Sequence, residues 1–183
     1  MIMTEHSLTT LIGNEIQGDL KWNDFVDGWD GFFYGIPCNA RRVVKFNPLD
    51  KSLTEIGPDL GEGKWNDFVD GGNGFFYGIP RNARRVVKFN PLDKSLTEIG
   101  PDFGEGGYKW MCGVRANTGS IYCAPCDATQ HILKINTNDG TVETFDDVAL
   151  PETGIYLWES GALAADNSIY FLFCTVRGYQ NRF

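Results

Sequence analysis

The sequence predicts an all-β fold of repeated four-stranded antiparallel sheets, and three observations carry that prediction. A 43-residue unit is written almost twice: Lys21 to Gly63 and Lys64 to Gly106 differ only at Trp29/Gly72, Asp30/Asn73, Cys38/Arg81 and Leu60/Phe103. A looser third copy opens at Lys109-Trp110 and a fourth at Leu157-Trp158. Each unit alternates short apolar runs with glycine, proline and asparagine turns, the punctuation of strands. No window holds an apolar stripe at helical spacing over three turns, so the apolar clusters read as strands packing through alternate faces.

The second copy sets the pattern. Strand a covers Trp65 to Asp70, and Gly71-Gly72-Asn73-Gly74 turns the chain because Gly and Asn tolerate positive φ. Strand b, Phe75 to Ile79, is ended by Pro80, which has no N–H for a ladder. Arg81 to Ala83 turns again, and strand c runs from Arg84 to Phe89. Asn90-Pro91-Leu92-Asp93 has proline at the second position of a type I turn, and strand d is Ser95 to Ile99. The third copy diverges mostly at its turns, Asn117-Thr118-Gly119 and Asn138-Asp139-Gly140. Its strands b, c and d are Ile121 to Pro125, Ile132 to Ile135 and Thr141 to Phe145. The fourth gives strand a at Ser160 to Ala164, a turn at Asp166-Asn167 and strand b at Ser168 to Phe173. Ser7 to Ile12 resembles strand d, so the chain reads as opening inside a unit. The expected division of a single domain, 1–183, is a last strand and linker at 7–20, units at 21–63, 64–106 and 109–154, and a partial unit at 156–183.

Four short strands repeating every 43 to 48 residues match the blade of a β-propeller. One blade cannot bury both of its apolar faces, so neighbours stack around an axis. Trp22, Trp65, Trp110 and Trp158 then stand at the head of each innermost strand. There each can wedge between blades and place its indole N–H on a backbone carbonyl. About four blades are predicted, as an open arc or fragment of a larger propeller. The alternative is a closed four-bladed ring in which Ser7 to Ile12 completes the last blade. Closure would remove exposed edges. A small ring, however, needs small residues on its inner strands, and Phe25 and Phe68, in place of Gly113 and Gly161, favour the open arc.

The pattern Trp-x-x-Gly-x-x-Ala/Asn-Asp/Asn-x-Gly-x-Ile-Tyr, followed by Ile-Leu-Lys-Ile-Asn, resembles propeller repeats of the Kelch-like and virginiamycin-B-lyase/gluconolactonase-like type over about residues 7 to 174. The glycine doublet of Kelch blades and the Gly-His…Trp-Asp signature of WD40 blades are both missing. The gluconolactonase-like resemblance implies a divalent metal held by Glu, Asn and Asp from different blades, a ligand set that no motif places on this sequence. The lyase resemblance implies a catalytic His in a specific setting. His131 stands in a turn leading into strand c and does not take that role.

The formal net charge of −8 argues against general affinity for nucleic acid or anionic membranes. With 42% hydrophobic and 14% aromatic residues, the chain has material for a packed core. The first residues show no signal peptide, and no run approaches the length of a membrane span. Five cysteines, an odd count, make a cytosolic protein with free thiols the default.

Four groups of residues are candidates for chemistry. Cys123-Ala124-Pro125-Cys126 has CxxC spacing, but there is no second pair and only His131 nearby, so buried or turn cysteines are the expectation. Asp24, Asp27, Asp67 and Asp70 recur on or beside strand a, where an axial carboxylate ring could hold Ca²⁺; solvated loop acids are the plainer reading. Arg41-Arg42 and Arg84-Arg85 form two basic pairs that could hold an acidic group, or serve as edge charges against sheet pairing. No nucleophile elbow and no phosphate loop appear. No catalytic, cofactor or metal residue is assigned and no cofactor is expected. The eight aspartates and arginines form the candidate binding surface. These features favour a non-catalytic module that binds a protein or small-molecule ligand, with self-association through open blade edges as a further partner mode. A metal-dependent lactonase- or lyase-type enzyme, or a truncated repeat product without independent function, is the alternative.

Overall fold

The computed structural model describes residues 2–4, 7–10, 19, 21–61, 65–126, 131–146 and 156–175. A hairpin of β1 (Ile2–Thr4) and β2 (Ser7–Thr10) comes first. Blade one is β3 (Trp22–Asp27), β4 (Phe33–Pro37), β5 (Val43–Phe46) and β6 (Leu53–Ile56). Blade two is β7 (Trp65–Asp70), β8 (Phe76–Pro80), β9 (Val86–Phe89) and β10 (Leu96–Ile99). Blade three is β11 (Val114–Arg115), β12 (Ser120–Cys123), β13 (Ile132–Asn136) and β14 (Val142–Phe145). A pair, β15 (Tyr156–Leu163) and β16 (Ile169–Thr175), follows. Every sheet is an antiparallel meander in chain order, with the first strands of successive blades side by side. Among the described residues no helix is long and apolar enough to cross a membrane.

The structure moves several expected boundaries. Strand c of blade two begins at Val86, not Arg84, because both arginines belong to the preceding turn. The fourth unit's first strand starts at Tyr156 rather than Ser160. Ser7–Thr10 is a strand, yet its partner is β1, which the sequence did not announce, and not the last blade. Among the described residues the ladder of a closed four-bladed ring is therefore not formed, and the blades make an open arc. The linker after Ile12 apart from Asp19, the turn at 127–130 and a third strand beyond Thr175 lie outside the described residues.

The core sits between blades. Trp65, 1% exposed, packs with Tyr34 and Ile36 of blade one, and Trp110 packs in the same way with Tyr77 and Ile79 of blade two. The indole N–H of Trp22 donates to Arg42 O (2.9 Å), that of Trp65 to Arg85 O (3.1 Å) and that of Trp110 to His131 O (2.9 Å). Each tryptophan thus ties the head of its unit to the turn before strand c, and Trp65 and Trp110 fill the wedge to the preceding blade. Gly78 makes room for this: a Cβ there would come within 2.6 Å of Val87 and 3.2 Å of the Trp65 ring.

Candidate functional site

The inner strands depart from a regular ladder just after each tryptophan. Trp65 faces Pro80, but Asp67 already faces Ile79, so β7 bulges there; β3 and β15 shift register at the same place. A bulge re-aims side chains next to it. Here Asn23, Asp24, Asn66 and Asp67 all line one axial cleft of about 310 Å³, with Met111, Cys112, Gly113, Ser160 and Gly161.

Polar bonds stitch the strands along this cleft. Asn23 Nδ2 donates to Asn66 Oδ1 (2.8 Å), and Asn66 Nδ2 donates to Met111 O (2.8 Å). The N–H of Gly113 donates to Asp67 Oδ2 (2.9 Å), while Asp67 Oδ1 accepts from the Phe68 N–H (2.8 Å). The Cys112 thiol donates to Trp158 O (3.2 Å). Burial first, and then the Asp24 carboxylate, push Asp67 up to about 7, against the N–H groups that favour its charge. Burial and the Asp67 charge push the Cys112 thiol up to about 12.

A second cleft, about 400 Å³, opens between the first turns of blades two and three. Gly71, Gly72 and Asn73 form one wall; Arg115 to Gly119, Thr137 and Asn138 form the other. Gly72 has φ +68, and a Cβ on it would stand 1.6 Å from Arg115 Nη1. Blade one carries Trp29 at this place, 76% exposed.

No protein-family model matches the sequence, and no curated protein matches it. Solved structures do. Streptogramin B lyase superposes with a TM-score of 0.63 at 18% identity, over 84% of this chain and 48% of that one. A catalytically inactive virginiamycin B lyase from Staphylococcus aureus with quinupristin gives 0.62 at 16% identity, over 85% and 56%. The extracellular domain of the BT4673 two component system from B. thetaiotaomicron gives 0.64 at 17% identity, over 82% and 19%. The chain is a β-propeller arc. It spans between 19% and 56% of the length of these proteins, and the likeness is one of fold.

Within the propeller the sequence-predicted residues separate. Asp24 and Asp67 come together at the axial cleft. Asp27 and Asp70 do not: their carboxylates cap the first turns, accepting from the N–H of Trp29 (2.9 Å) and of Gly72 (2.7 Å). Arg41 pairs with Asp59 (2.8 Å), and Arg84 with Asp102 and Glu105 (both 2.6 Å). Arg42 and Arg85 donate to the carbonyls of Gly57 and Gly100. Edge charge does not describe these arginines, since they precede strand c, which lies between b and d. Cys123 and Cys126 are buried free thiols, and burial pushes Cys123 well above the ordinary thiol range. Arg115, Asn23 and Asn66 are not among the sequence-predicted candidates. Arg115 had a signal, replacing the aspartate that both earlier copies carry; the asparagines acquire a place only through the bulge.

Proposed function

We propose that this propeller arc is a non-catalytic repeat module that binds a protein or small-molecule ligand. One observation carries the reading. The larger of the two clefts is walled by first-turn residues at which the copies differ, while the tryptophan frame behind them repeats. A rigid scaffold with variable end loops is the ordinary design of a binding surface. The test is a peptide, glycan and small-acid array probed with the wild-type chain and with Gly72→Trp, which fills the cleft. The expected outcome is at least one ligand class held by the wild type and lost by the variant. A folded wild-type chain that holds nothing contradicts the reading and leaves a repeat product without independent function.

The lactonase- or lyase-type reading draws on the Asp24–Asp67 pair. Its donor set does not fit a divalent cation. Both Asp67 oxygens already accept backbone N–H groups, its carboxyl resists ionisation, and among the described residues no three His, Cys, Asp or Glu side chains converge. Lactone turnover that added Ca²⁺ supports and Asp67→Asn abolishes would establish this reading in place of the first.

A further inference from the structure

We propose that the cleft between the first turns of blades two and three seats a carboxylate on Arg115; this rests on the binding-module reading and names its ligand class. Arg115 ends β11, is exposed, and turns its guanidinium over Gly72. The glycine gives it that place, since any side chain there would occupy the position of Nη1. None of the ion pairs among the described residues includes Arg115.

Each side-chain amide of the cleft already donates within its walls. Asn73 Nδ2 donates to Thr137 O (2.5 Å) and to the Tyr77 hydroxyl (3.0 Å). Asn138 Nδ2 donates to Thr118 O (3.3 Å), and Asn117 Nδ2 to Asn167 Oδ1. Thr137 Oγ1 lies against the carbonyls of Gly119 (2.6 Å) and Gly71 (3.1 Å). The walls are thereby fixed, and the planar five-donor fork of Arg115 faces the space between them. That fork matches the two oxygens of a carboxylate. Charge selects a monoanion over a phosphate dianion. One guanidinium stands here beside the Asp70 carboxylate that caps the Gly72 turn, in a chain of formal net charge −8. The carboxylate can belong to a free small acid or to an acidic side chain of a peptide.

The test is a ¹⁵N–¹H NMR titration of the full chain with acetate, with a terminally blocked pentapeptide containing one Glu, and with inorganic phosphate. The amides of Gly72, Thr118 and Gly119 are expected to shift saturably with one or both carboxylates and more weakly with phosphate. Arg115→Gln should weaken the response at least tenfold; Arg115→Lys, which keeps the charge without the fork, should fall between. Tighter binding of the peptide assigns the source to a protein partner, and tighter binding of acetate assigns it to a small acid. No saturable shift with either carboxylate, tighter binding of phosphate, or an unchanged response in Arg115→Gln overturns the proposal. An array ligand that binds Arg115→Gln as well as the wild type also overturns it, while leaving the binding-module reading standing.

Discussion

Lys94 of blade two donates its ammonium to the carboxylate of Asp30 in blade one at 3.0 Å, joined there by the Tyr34 hydroxyl. One blade further on, Asn73 replaces Asp30 and donates instead to the Thr137 carbonyl of blade three. The acid stands where the next blade offers a lysine, and the amide where it offers a carbonyl. The other three differences between the twin units follow suit. Gly72 yields to Arg115 of the next blade, whereas Trp29 precedes a blade with Asp70 at that place. Arg81 sits 3.6 Å from the Cys38 thiol of blade one and stacks on Tyr108 at 4.3 Å. Phe103 meets Trp110 edge to face at 4.8 Å, while Leu60 packs on the cluster around Trp65. Each of the four differing positions lies at a junction between blades.

The Asp30–Lys94 bridge gives the first prediction. Burial pushes the Asp30 carboxyl up, but the Tyr34 hydroxyl and the Lys94 ammonium outweigh it and hold the group below the ordinary range. Its folded pKa is depressed, so its contribution is present above about pH 4 and is lost as pH falls through the folded value. Asp30→Asn should cost about 1–2 kcal/mol in urea denaturation at pH 7 and progressively less toward pH 3.

Asp67 behaves with the opposite sign. Its folded pKa of about 7 stands above the unfolded value near 4, so its stabilising share is whole below pH 4 and is lost as pH rises to 7. Wild-type stability should therefore fall across that window by an amount on the order of a few kcal/mol relative to Asp67→Asn. Urea titrations of both proteins at pH 4, 5.5 and 8 measure it; parallel curves would contradict the assignment.

Exchange at a single turn should be asymmetric. Gly72→Trp forces a side chain into Arg115 at φ +68, and a loss of about 1–3 kcal/mol is expected. Trp29→Gly removes an exposed indole from φ 58 and should be neutral or stabilising by up to about 1 kcal/mol. Paired thermal melts decide between this and equal losses at both sites.

Open edges predict association. Among the described residues β16 pairs only with β15 and β1 only with β2, and unpaired strand edges template pairing with another chain. Multi-angle light scattering on the 183-residue chain should show mass rising with concentration. A monomer at every concentration would mean that the edges are covered.

Much of the frame was legible because it is local chemistry. Trp65–Asp70 is a strand as read, and Pro80 stands at the end of β8. Three indoles find the carbonyls expected of them. The candidate sites were less legible. That the adjacent Asn66 and Asp67 both line the axial cleft depends on a bulge, and a one-residue register shift leaves no mark in the residue pattern. The four substitutions looked like drift along one copy. The partners of Asp30, Gly72 and Asn73 lie in the following blade and that of Arg81 in the preceding one, 43 residues or more away, and need the blades stacked to be seen.

The most direct test of this account keeps the composition constant. Blade one receives Trp29→Gly, Asp30→Asn, Cys38→Arg and Leu60→Phe, while blade two receives Gly72→Trp, Asn73→Asp, Arg81→Cys and Phe103→Leu. If each blade is written for its neighbour, the swapped chain should lose several kcal/mol, roughly the sum of its broken junction contacts, in equilibrium urea unfolding. A swapped chain as stable as the wild type would contradict the account.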